Sequence, residues 1–349
     1  MQTRAAVLFE VNQGLRLLNL SGRPLRDGQV HVAVAYSGVC HSQLHEIRGR
    51  RGPDRFLPHA LGHEGSGIVL AAGPGVTKAK QGDRVVLSWI KGSGHEVPSN
   101  VYDSPEGPIN AGAISTFMNE TIVSENRVTV IPENMPLREA ALLGCAIPTG
   151  AGAVMNTARL PAGSSIAVFG LGGIGMSAVL AAAMQGATPI IGIDISRPKL
   201  DQARHIGATH LIDASAEAPL DTIMNITGGR GVDVAIEAAG VPETMETAFR
   251  SIRDAGGLCI IAGNLASGQR ISIDPFDLIR GRRIVGTWGG ETKPDGDIPH
   301  YANLYLSGRF KLESLITHEY PLENINQAFE DLEKGNVGRA LIRFNGGHD

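Results

Sequence analysis

Cys40, His63 and Cys145 are the residues of this chain whose side chains most readily bind a transition metal. Two thiolates and one imidazole form a soft sulfur and nitrogen set that suits zinc. Three protein ligands leave a fourth position open for a reacting molecule, as catalytic zinc sites do. Because the three residues are far apart in the sequence, a second interpretation stays open, in which they are small or hydrogen-bonded residues of a core.

A glycine-rich motif, Gly170-x-Gly172-x-x-Gly175, predicts a dinucleotide site. It follows the apolar run 166–169 and opens an alanine-rich segment that predicts a helix. The first glycine allows a tight turn, the second allows the backbone to approach a diphosphate, and the third allows the helix to pack on the strand. A diphosphate would then lie at the helix N-terminus, where free N–H groups favour negative charge.

Asp194 ends a second apolar run, 190–193, and predicts the choice of cofactor. A carboxylate at this place accepts hydrogen bonds from the ribose hydroxyls and repels a 2′-phosphate, which favours NAD over NADP. A glycine-rich turn that binds nothing is the alternative. The order of strand, motif, helix, second strand and acid favours the cofactor site.

The elements that must position these residues fall into two groups. Residues 1 to about 135 contain short apolar runs separated by Gly and Pro turns, which predict a barrel-like β domain, with a loop over 91–112. From 148 to 287 strands and helices alternate, which predicts a parallel sheet covered by helices. The predicted strands of this second group are 166–169, 190–193, 210–212, 232–237, 257–262 and 284–286.

Composition excludes several classes of function. A net charge of −4 over 349 residues provides no basic surface for nucleic acid or for an anionic membrane. No stretch is long and apolar enough to span a bilayer, and the N-terminus has no secretory signal. Three cysteines make no disulfide framework and suit a reduced compartment, so we expect a cytoplasmic protein.

Taken together, these segments resemble the zinc-dependent alcohol dehydrogenases of the medium-chain dehydrogenase/reductase superfamily. The similarity runs from end to end, and its most specific parts are Gly62-His63-Glu64-Gly65, the segment of Cys40, Gly144-Cys145 with Thr149-Gly150, and the glycine motif with Asp194. It implies an α/β protein with a GroES-like β-barrel catalytic domain, residues 1–147 completed by 288–349. It also implies a Rossmann domain with a doubly wound parallel sheet for NAD, residues 148–287.

The resemblance also implies roles for single residues. Cys40, His63 and Cys145 would be the catalytic zinc ligands, and Glu64 the acid beside the histidine ligand. Ser42 would pass on the alcohol proton, and His45 would end a relay that reaches solvent through the ribose. Trp89 would line the substrate pocket. The predicted cofactor contacts are His41, Thr149, Gly170, Gly172, Gly173, Ile174, Gly175, Asp194, Lys199 and Arg339.

Two departures from the family pattern bear on the metal. The four clustered cysteines of the family's structural zinc lobe are missing from residues 90–112, so we predict one catalytic zinc per subunit and no structural zinc. His95 and Glu96 lie in this loop and are predicted to be solvated. Gln43 stands where many relatives carry an acid; its oxygen can still accept a hydrogen bond from the histidine ligand, but it adds no charge.

The predicted activity is therefore oxidation of an alcohol to an aldehyde or ketone, with reduction of NAD. Zinc would lower the pKa of the alcohol, and hydride would pass to the nicotinamide. The alternatives are a zinc-free quinone or enoyl reductase of the same superfamily and a non-catalytic NAD-binding protein. Primary and secondary alcohols, polyols and glutathione adducts all remain open as substrates. An apolar edge strand near Ile284 predicts a homodimer or homotetramer.

Overall fold

The computed structural model describes residues 1–98 and 100–344 and contains two compact units. The first unit comprises Met1–Cys145, Lys293–Gly308 and the tail from Ile316, and the second comprises Ala146–Thr292 and Arg309–Leu315. The sequence prediction placed the domain breaks at 147/148 and 287/288, and it did not separate 309–315 from the tail.

Eighteen strands lie in the described residues. They are β1 Gln2–Leu8, β2 Arg16–Ser21, β3 Gln29–Gly38, β4 His59–Ala60, β5 Glu64–Ala72, β6 Arg84–Ser88, β7 Val101–Ser104, β8 Gly107–Asn110, β9 Glu120–Ser124, β10 Val128–Val130, β11 Ile166–Phe169, β12 Ile190–Asp194, β13 His210–Asp213, β14 Val234–Glu237, β15 Leu258–Ile261, β16 Arg283–Gly286, β17 Ile316–Pro321 and β18 Arg339–Arg343.

Ten α-helices lie in the same described ranges. They are α1 His41–Ile47, α2 Leu137–Ala140, α3 Ala146–Gly152, α4 Gly173–Met184, α5 Arg197–His205, α6 Pro219–Ile226, α7 Pro242–Ser251, α8 Pro275–Ile279, α9 Pro294–Leu306 and α10 Ile325–Glu333. Short 3-10 turns cover Glu125–Arg127, Ala141–Gly144, Gly289–Glu291, Leu312–Leu315 and Leu322–Asn324, and a π-turn covers Ala153–Thr157.

The first unit is built from two mainly antiparallel β systems, with parallel pairing among its described strands only between β4 and β8 and between β17 and β18. One is a closed barrel in the order β1-β2-β7-β8-β4, and the other is a sheet in the order β10-β6-β5-β3-β18-β17, with β9 paired to β3. The long strand β3 buries Val30, Val32 and Val34 and pairs with three other strands, so it is the centre of this unit. The predicted β domain is thus confirmed.

The loop predicted over 91–112 was wrong in its second half, where β7 and β8 form a hairpin. Tyr102 and Ile109 of these strands are fully buried, and the Tyr102 hydroxyl accepts a hydrogen bond from the Ile122 backbone at 2.9 Å. Gly107 has a φ of +105°, a conformation that suits glycine in the tight turn. Both strands are short and partly polar, so the local sequence does not predict them, and their pairing is seen only in the closed barrel.

The second unit is organised by one six-stranded parallel sheet in the order β13-β12-β11-β14-β15-β16. Each strand overlaps a predicted strand, and the order is that of a doubly wound dinucleotide-binding fold. The central strand β11 is buried along its whole length, as an apolar run in a parallel sheet should be. The carboxyl ends of β11 and β14 flank the point where the strand order reverses, which is where ligands bind in such sheets.

No single helix among the described residues is long and apolar enough to cross a bilayer. Only the broken pair Leu137–Gly144 and Ala146–Thr157 meets the length and composition test when taken together.

Candidate functional site

The structure brings the three predicted metal ligands together. Cys40 is the residue before α1, His63 immediately precedes β5, and Cys145 follows the 3-10 turn that ends at Gly144. One ligand atom from each lies within 4.8 Å of the others, Cys145 is buried, and Cys40 and His63 are half-buried. Within residues 1–98 and 100–344 this is the one such group of three.

The electrostatics of this group favour a bound cation. The pKa of Cys40 lies well below its ordinary value, chiefly because of a hydrogen bond with the Cys145 side chain. His63 and the guanidinium of Arg339 lower this pKa further, against the effect of burial. Since the thiolate is the form that binds metal, two sulfurs and one imidazole in this arrangement fit zinc.

Gln43 hydrogen-bonds the His63 ring at Nδ1. The hydrogen-bond geometry orients the Gln43 amide with its oxygen 3.1 Å from His63 Nδ1, 3.0 Å from the Gly62 backbone N and 3.1 Å from the His63 backbone N. The side chain is almost fully buried. The amide oxygen therefore holds the proton on Nδ1 and leaves Nε2 as the ligand atom, without adding the negative charge of an acid.

Glu64 and Arg339 form a buried ion pair beside the group. Glu64 is completely buried and Arg339 is 5% exposed, while Nη1 of Arg339 donates to the Val39 carbonyl at 3.0 Å. The structure thus places Glu64 against Arg339, which is one of the predicted cofactor contacts. The guanidinium of Arg339 is held by residues of the first unit. Burial lowers the pKa of Arg339, and the interaction with Cys40 opposes this effect.

Helix α1 carries the two residues predicted to move the proton. The Ser42 hydroxyl donates to Cys40 Sγ at 3.3 Å, so it lies next to the metal group. His45 is half-buried one turn further along the helix, and its pKa is lowered by burial and by the charges of Arg50 and Arg51. His41, predicted to contact the cofactor, is exposed at the start of the same helix.

Trp89 lies directly after β6 and is tied to the ligand His63. Its backbone N–H donates to the His63 carbonyl at 3.0 Å, and its own carbonyl accepts a hydrogen bond from Arg127. Ser88, one residue earlier, donates to the Gly144 carbonyl at 2.7 Å. Sequence reasoning missed both Ser88 and Arg127, because a buried serine and a buried arginine reveal their partners only in the folded chain.

The second unit has the glycine cradle that the motif predicts. Gly170 has a φ of +85°, and a side chain there would meet the Ala239 backbone at 2.7 Å. A side chain at Gly175 would collide with the Gly170 carbonyl, whereas Gly172 faces open space. Helix α4 begins at Gly173, with Gly172 as its N-cap. The three glycines therefore have the turn, approach and packing geometry expected of a diphosphate-binding loop.

Asp194 faces this loop from the end of β12. Its Oδ2 accepts from the Leu171 backbone at 2.7 Å, and its Oδ1 accepts from the Ser196 backbone at 2.9 Å. The carboxylate thus braces the glycine loop while remaining half-buried at the sheet edge. Lys199, another predicted contact, lies half-buried on the following helix α5.

Thr149 presents an unsatisfied hydroxyl in the same unit. The residue is 6% exposed, and its Oγ1 has no hydrogen-bond partner among the described residues. Its neighbour Gly150 packs directly against the backbone of Ile174 on α4, which brings the two predicted nicotinamide contacts close together. A buried, unpaired hydroxyl beside a glycine loop fits a site that a polar ligand completes.

Comparison with known proteins agrees with this geometry. The family model described as "Alcohol dehydrogenase GroES-like domain" matches residues 26–133, and the one described as "Zinc-binding dehydrogenase" matches residues 173–306. The chain is 33% identical to an S-(hydroxymethyl)glutathione dehydrogenase of Synechocystis, over 99% of this chain and 100% of that one. It is 33% identical to a class-3 alcohol dehydrogenase of Pisum sativum, over 97% of each.

The chain belongs to the zinc-dependent alcohol dehydrogenase family.

Solved structures of the same family superpose closely on the chain. An alcohol dehydrogenase zinc-binding domain protein from Burkholderia ambifaria has a TM-score of 0.90 and 32% identity over 100% of both chains. Benzyl alcohol dehydrogenase from Acinetobacter calcoaceticus has a TM-score of 0.89 and 30% identity over 99% of both. The GroES-like and Rossmann folds and a zinc-dependent alcohol oxidoreductase activity are thereby confirmed. The relatives are described as dehydrogenases, so they do not support the two alternatives, a zinc-free reductase and a non-catalytic NAD-binding protein.

Proposed function

We propose that this alcohol dehydrogenase transfers hydride between an alcohol and NAD at a single zinc centre held by Cys40, His63 and Cys145. The observation that carries the proposal is the convergence of these three ligand atoms within 4.8 Å, with Cys40 favoured as thiolate. Three ligands from one unit leave a position for the substrate oxygen. A bound zinc would supply Lewis-acid polarisation of that oxygen.

Two residues of α1 then transfer the alcohol proton toward solvent. Ser42 accepts the proton of the alcohol at Oγ while it releases its own hydroxyl proton, and its contact with Cys40 Sγ holds it next to the metal group. His45 takes up the released proton further from the centre, where burial and the charges of Arg50 and Arg51 keep its pKa low and so favour release to solvent. Glu64 holds Arg339 in place and balances its charge.

NAD is the proposed cofactor, and its nicotinamide would supply the hydride acceptor when it is bound. The open space at Gly172 and the N-terminus of α4 support a diphosphate site formed by Gly170, Gly172, Gly173 and Gly175. Asp194 supports NAD over NADP, because its carboxylate at the end of β12 would accept hydrogen bonds from the ribose hydroxyls and repel a 2′-phosphate. The hydroxyl of Thr149 is a free partner for the nicotinamide end.

A primary alcohol is the proposed substrate class. The relatives include a dehydrogenase of S-(hydroxymethyl)glutathione and one of benzyl alcohol, and both names describe a terminal hydroxymethyl group. Trp89, fixed beside His63, gives the pocket a bulky wall. One zinc per chain is proposed because the whole sequence contains three cysteines, two of them in the catalytic group.

A two-fold homodimer is the proposed assembly. Strand β16 is the edge of the parallel sheet, and Val285 on it is 39% exposed. Ile279 and Trp288 next to this strand in sequence are 77% and 78% exposed, so a second copy would cover apolar surface and unpaired strand groups together.

The three free cysteines support a cytoplasmic location.

A substrate panel tests the proposed function. Purified protein loaded with zinc should reduce NAD in the presence of benzyl alcohol or S-(hydroxymethyl)glutathione, followed at the nicotinamide absorbance, and do so faster than with a secondary alcohol such as 2,3-butanediol. Zinc-loaded protein that binds NAD but reduces it with none of these alcohols would contradict the proposal. Preference for the secondary alcohol would overturn the substrate class alone.

A further inference from the structure

Glu125, which begins the 3-10 turn between β9 and β10, is a fully buried carboxylate with an unusual number of donors. Its Oε1 accepts from the Thr77 backbone at 2.5 Å, the Thr77 hydroxyl at 3.1 Å and the Lys78 backbone at 2.8 Å. Its Oε2 accepts from the His95 backbone at 2.9 Å and lies 2.8 Å from His95 Nδ1. The His95 side chain is 55% exposed, as the prediction of a solvated residue requires, and it is also held by this carboxylate.

A second carboxylate fastens the same segment. Asp295, in the first turn of α9, accepts from the Ser93 backbone at 2.6 Å and pairs with Lys78, while Lys78 Nζ donates to the Ser93 carbonyl at 3.0 Å. Gly94 has a φ of +100°, and a side chain there would meet Glu125 Cγ at 2.8 Å. The segment 91–97 is thus closed over Glu125 with no room for substitution at its centre.

This segment continues directly from residues that touch the metal group. Trp89 donates to the His63 carbonyl and accepts from Arg127, two residues after Glu125. The Ser88 hydroxyl accepts from the Ile90 backbone at 3.0 Å and donates to the Gly144 carbonyl, adjacent to Cys145. A displacement of the segment would therefore reach the backbone beside two of the three proposed ligands.

We infer that Glu125 is a positioning residue that holds segment 91–97 from inside and thereby keeps Trp89, His63 and Cys145 in place. The inference rests on the proposed single catalytic zinc. It predicts that loss of Glu125 loosens the zinc, and not only the fold.

Glu125→Gln tests this directly, because an amide cannot accept from both donor sets at once. If its oxygen serves Thr77 and Lys78, its NH₂ faces the two donors of His95. Glu96→Gln is the matched control, since Glu96 lies in the same segment but is 57% exposed, pairs with Lys91 at the surface and comes no closer than 4.0 Å to Arg127. His95→Ala removes only the side-chain half of the Oε2 contacts and serves if Glu125→Gln fails to fold.

Two readouts separate positioning from general stability. Zinc-loaded proteins are challenged with a chelator under conditions where all remain folded, in a Trp288→Phe background that leaves Trp89 as the single tryptophan. Glu125→Gln should release zinc about tenfold faster or more, in the range found for residues that support metal ligands. Acrylamide quenching of Trp89 should rise, His95→Ala should change both readouts in the same direction, and Glu96→Gln should match the parent.

Parental zinc release and quenching in Glu125→Gln, even with a lower Tm, would overturn the inference and leave a purely structural role. Two tightly held zinc ions per parent chain would instead contradict the single-zinc proposal. The release rates would still be comparable in that case, so the two failures are distinguishable.

Discussion

Ser42 and Cys40 are two residues apart, yet the proposed function divides metal binding and proton transfer between them. Cys40 belongs to the proposed ligand group, whereas the Ser42 hydroxyl donates to its sulfur and is the proposed proton acceptor for the substrate. His45 lies on the same helix with a lowered pKa. Substitutions at these positions should therefore separate two kinds of loss.

Ser42→Ala should keep zinc and NAD binding and lose alcohol oxidation by about 10²–10⁴-fold, the usual contribution of a general acid–base group. His45→Gln should lose less, because water can replace an acceptor that faces solvent, and added imidazole should restore part of the loss. Steady-state kinetics at neutral pH, with zinc measured on the same samples, checks both. Near-normal turnover in Ser42→Ala would show that the proton leaves by another route.

Asp194→Gly should narrow the preference for NAD over NADP. The variant removes the charge that repels a 2′-phosphate and the charge-assisted hydrogen bonds, each worth roughly 1.5–3 kcal/mol, so NAD should bind about tenfold more weakly or worse. Because Asp194 also accepts from Leu171 and Ser196, Tm should be recorded as a control for loop damage. A wild-type protein that uses NADP as well as NAD would refute the assignment.

At the scale of elements, secondary structure was predicted best where the local sequence alone determines it. The six parallel strands were found because each is an apolar run bounded by glycine or polar residues. Strands β2, β4, β7, β8 and β9 were not predicted, since their burial depends on partners distant in sequence. The ligand set needed the family resemblance for the same reason, because β3, β5 and the turn before Cys145 converge only in the tertiary structure.

Glu125 should also give the first unit a measurable pH signature. Burial raises the pKa of its carboxyl group, but hydrogen bonds from His95, Thr77 and Lys78 outweigh this and lower it from 4.5 to about 2. A lowered pKa means that the carboxylate stabilises the fold fully above pH 4.5, and that this contribution is lost as pH falls toward 2. The shift corresponds to roughly 3 kcal/mol at neutral pH.

The free energy of unfolding of wild type minus that of Glu125→Gln should therefore shrink as pH falls from about 4.5 toward 2. Taking this difference removes the titration that both proteins share, including that of the other charged groups facing the segment, namely His95, Lys78, Asp295, Arg127 and Glu96. Denaturant unfolding at a series of pH values provides the measurement. A difference that is constant with pH would mean that Glu125 is not ionised in the folded protein.

At the scale of the whole molecule, the exposed edge of the parallel sheet predicts association. Val285→Lys should convert the proposed dimer to monomer, because a charge in the centre of an edge strand opposes pairing with a second copy. Light scattering at assay concentration checks the mass of both proteins. Wild-type protein with the mass of one 36.7 kDa chain would contradict the proposed dimer.

The zinc content of the purified protein tests the central claim most directly. Elemental analysis after exhaustive dialysis should give one zinc per chain in wild type, and Cys40→Ala should lose zinc and activity together without restoration by added base. This variant keeps His63 and Cys145, so loss of zinc would show that the site requires the complete set of three ligands. Two zinc ions per chain, or none after purification in zinc, would contradict a single catalytic centre at Cys40, His63 and Cys145.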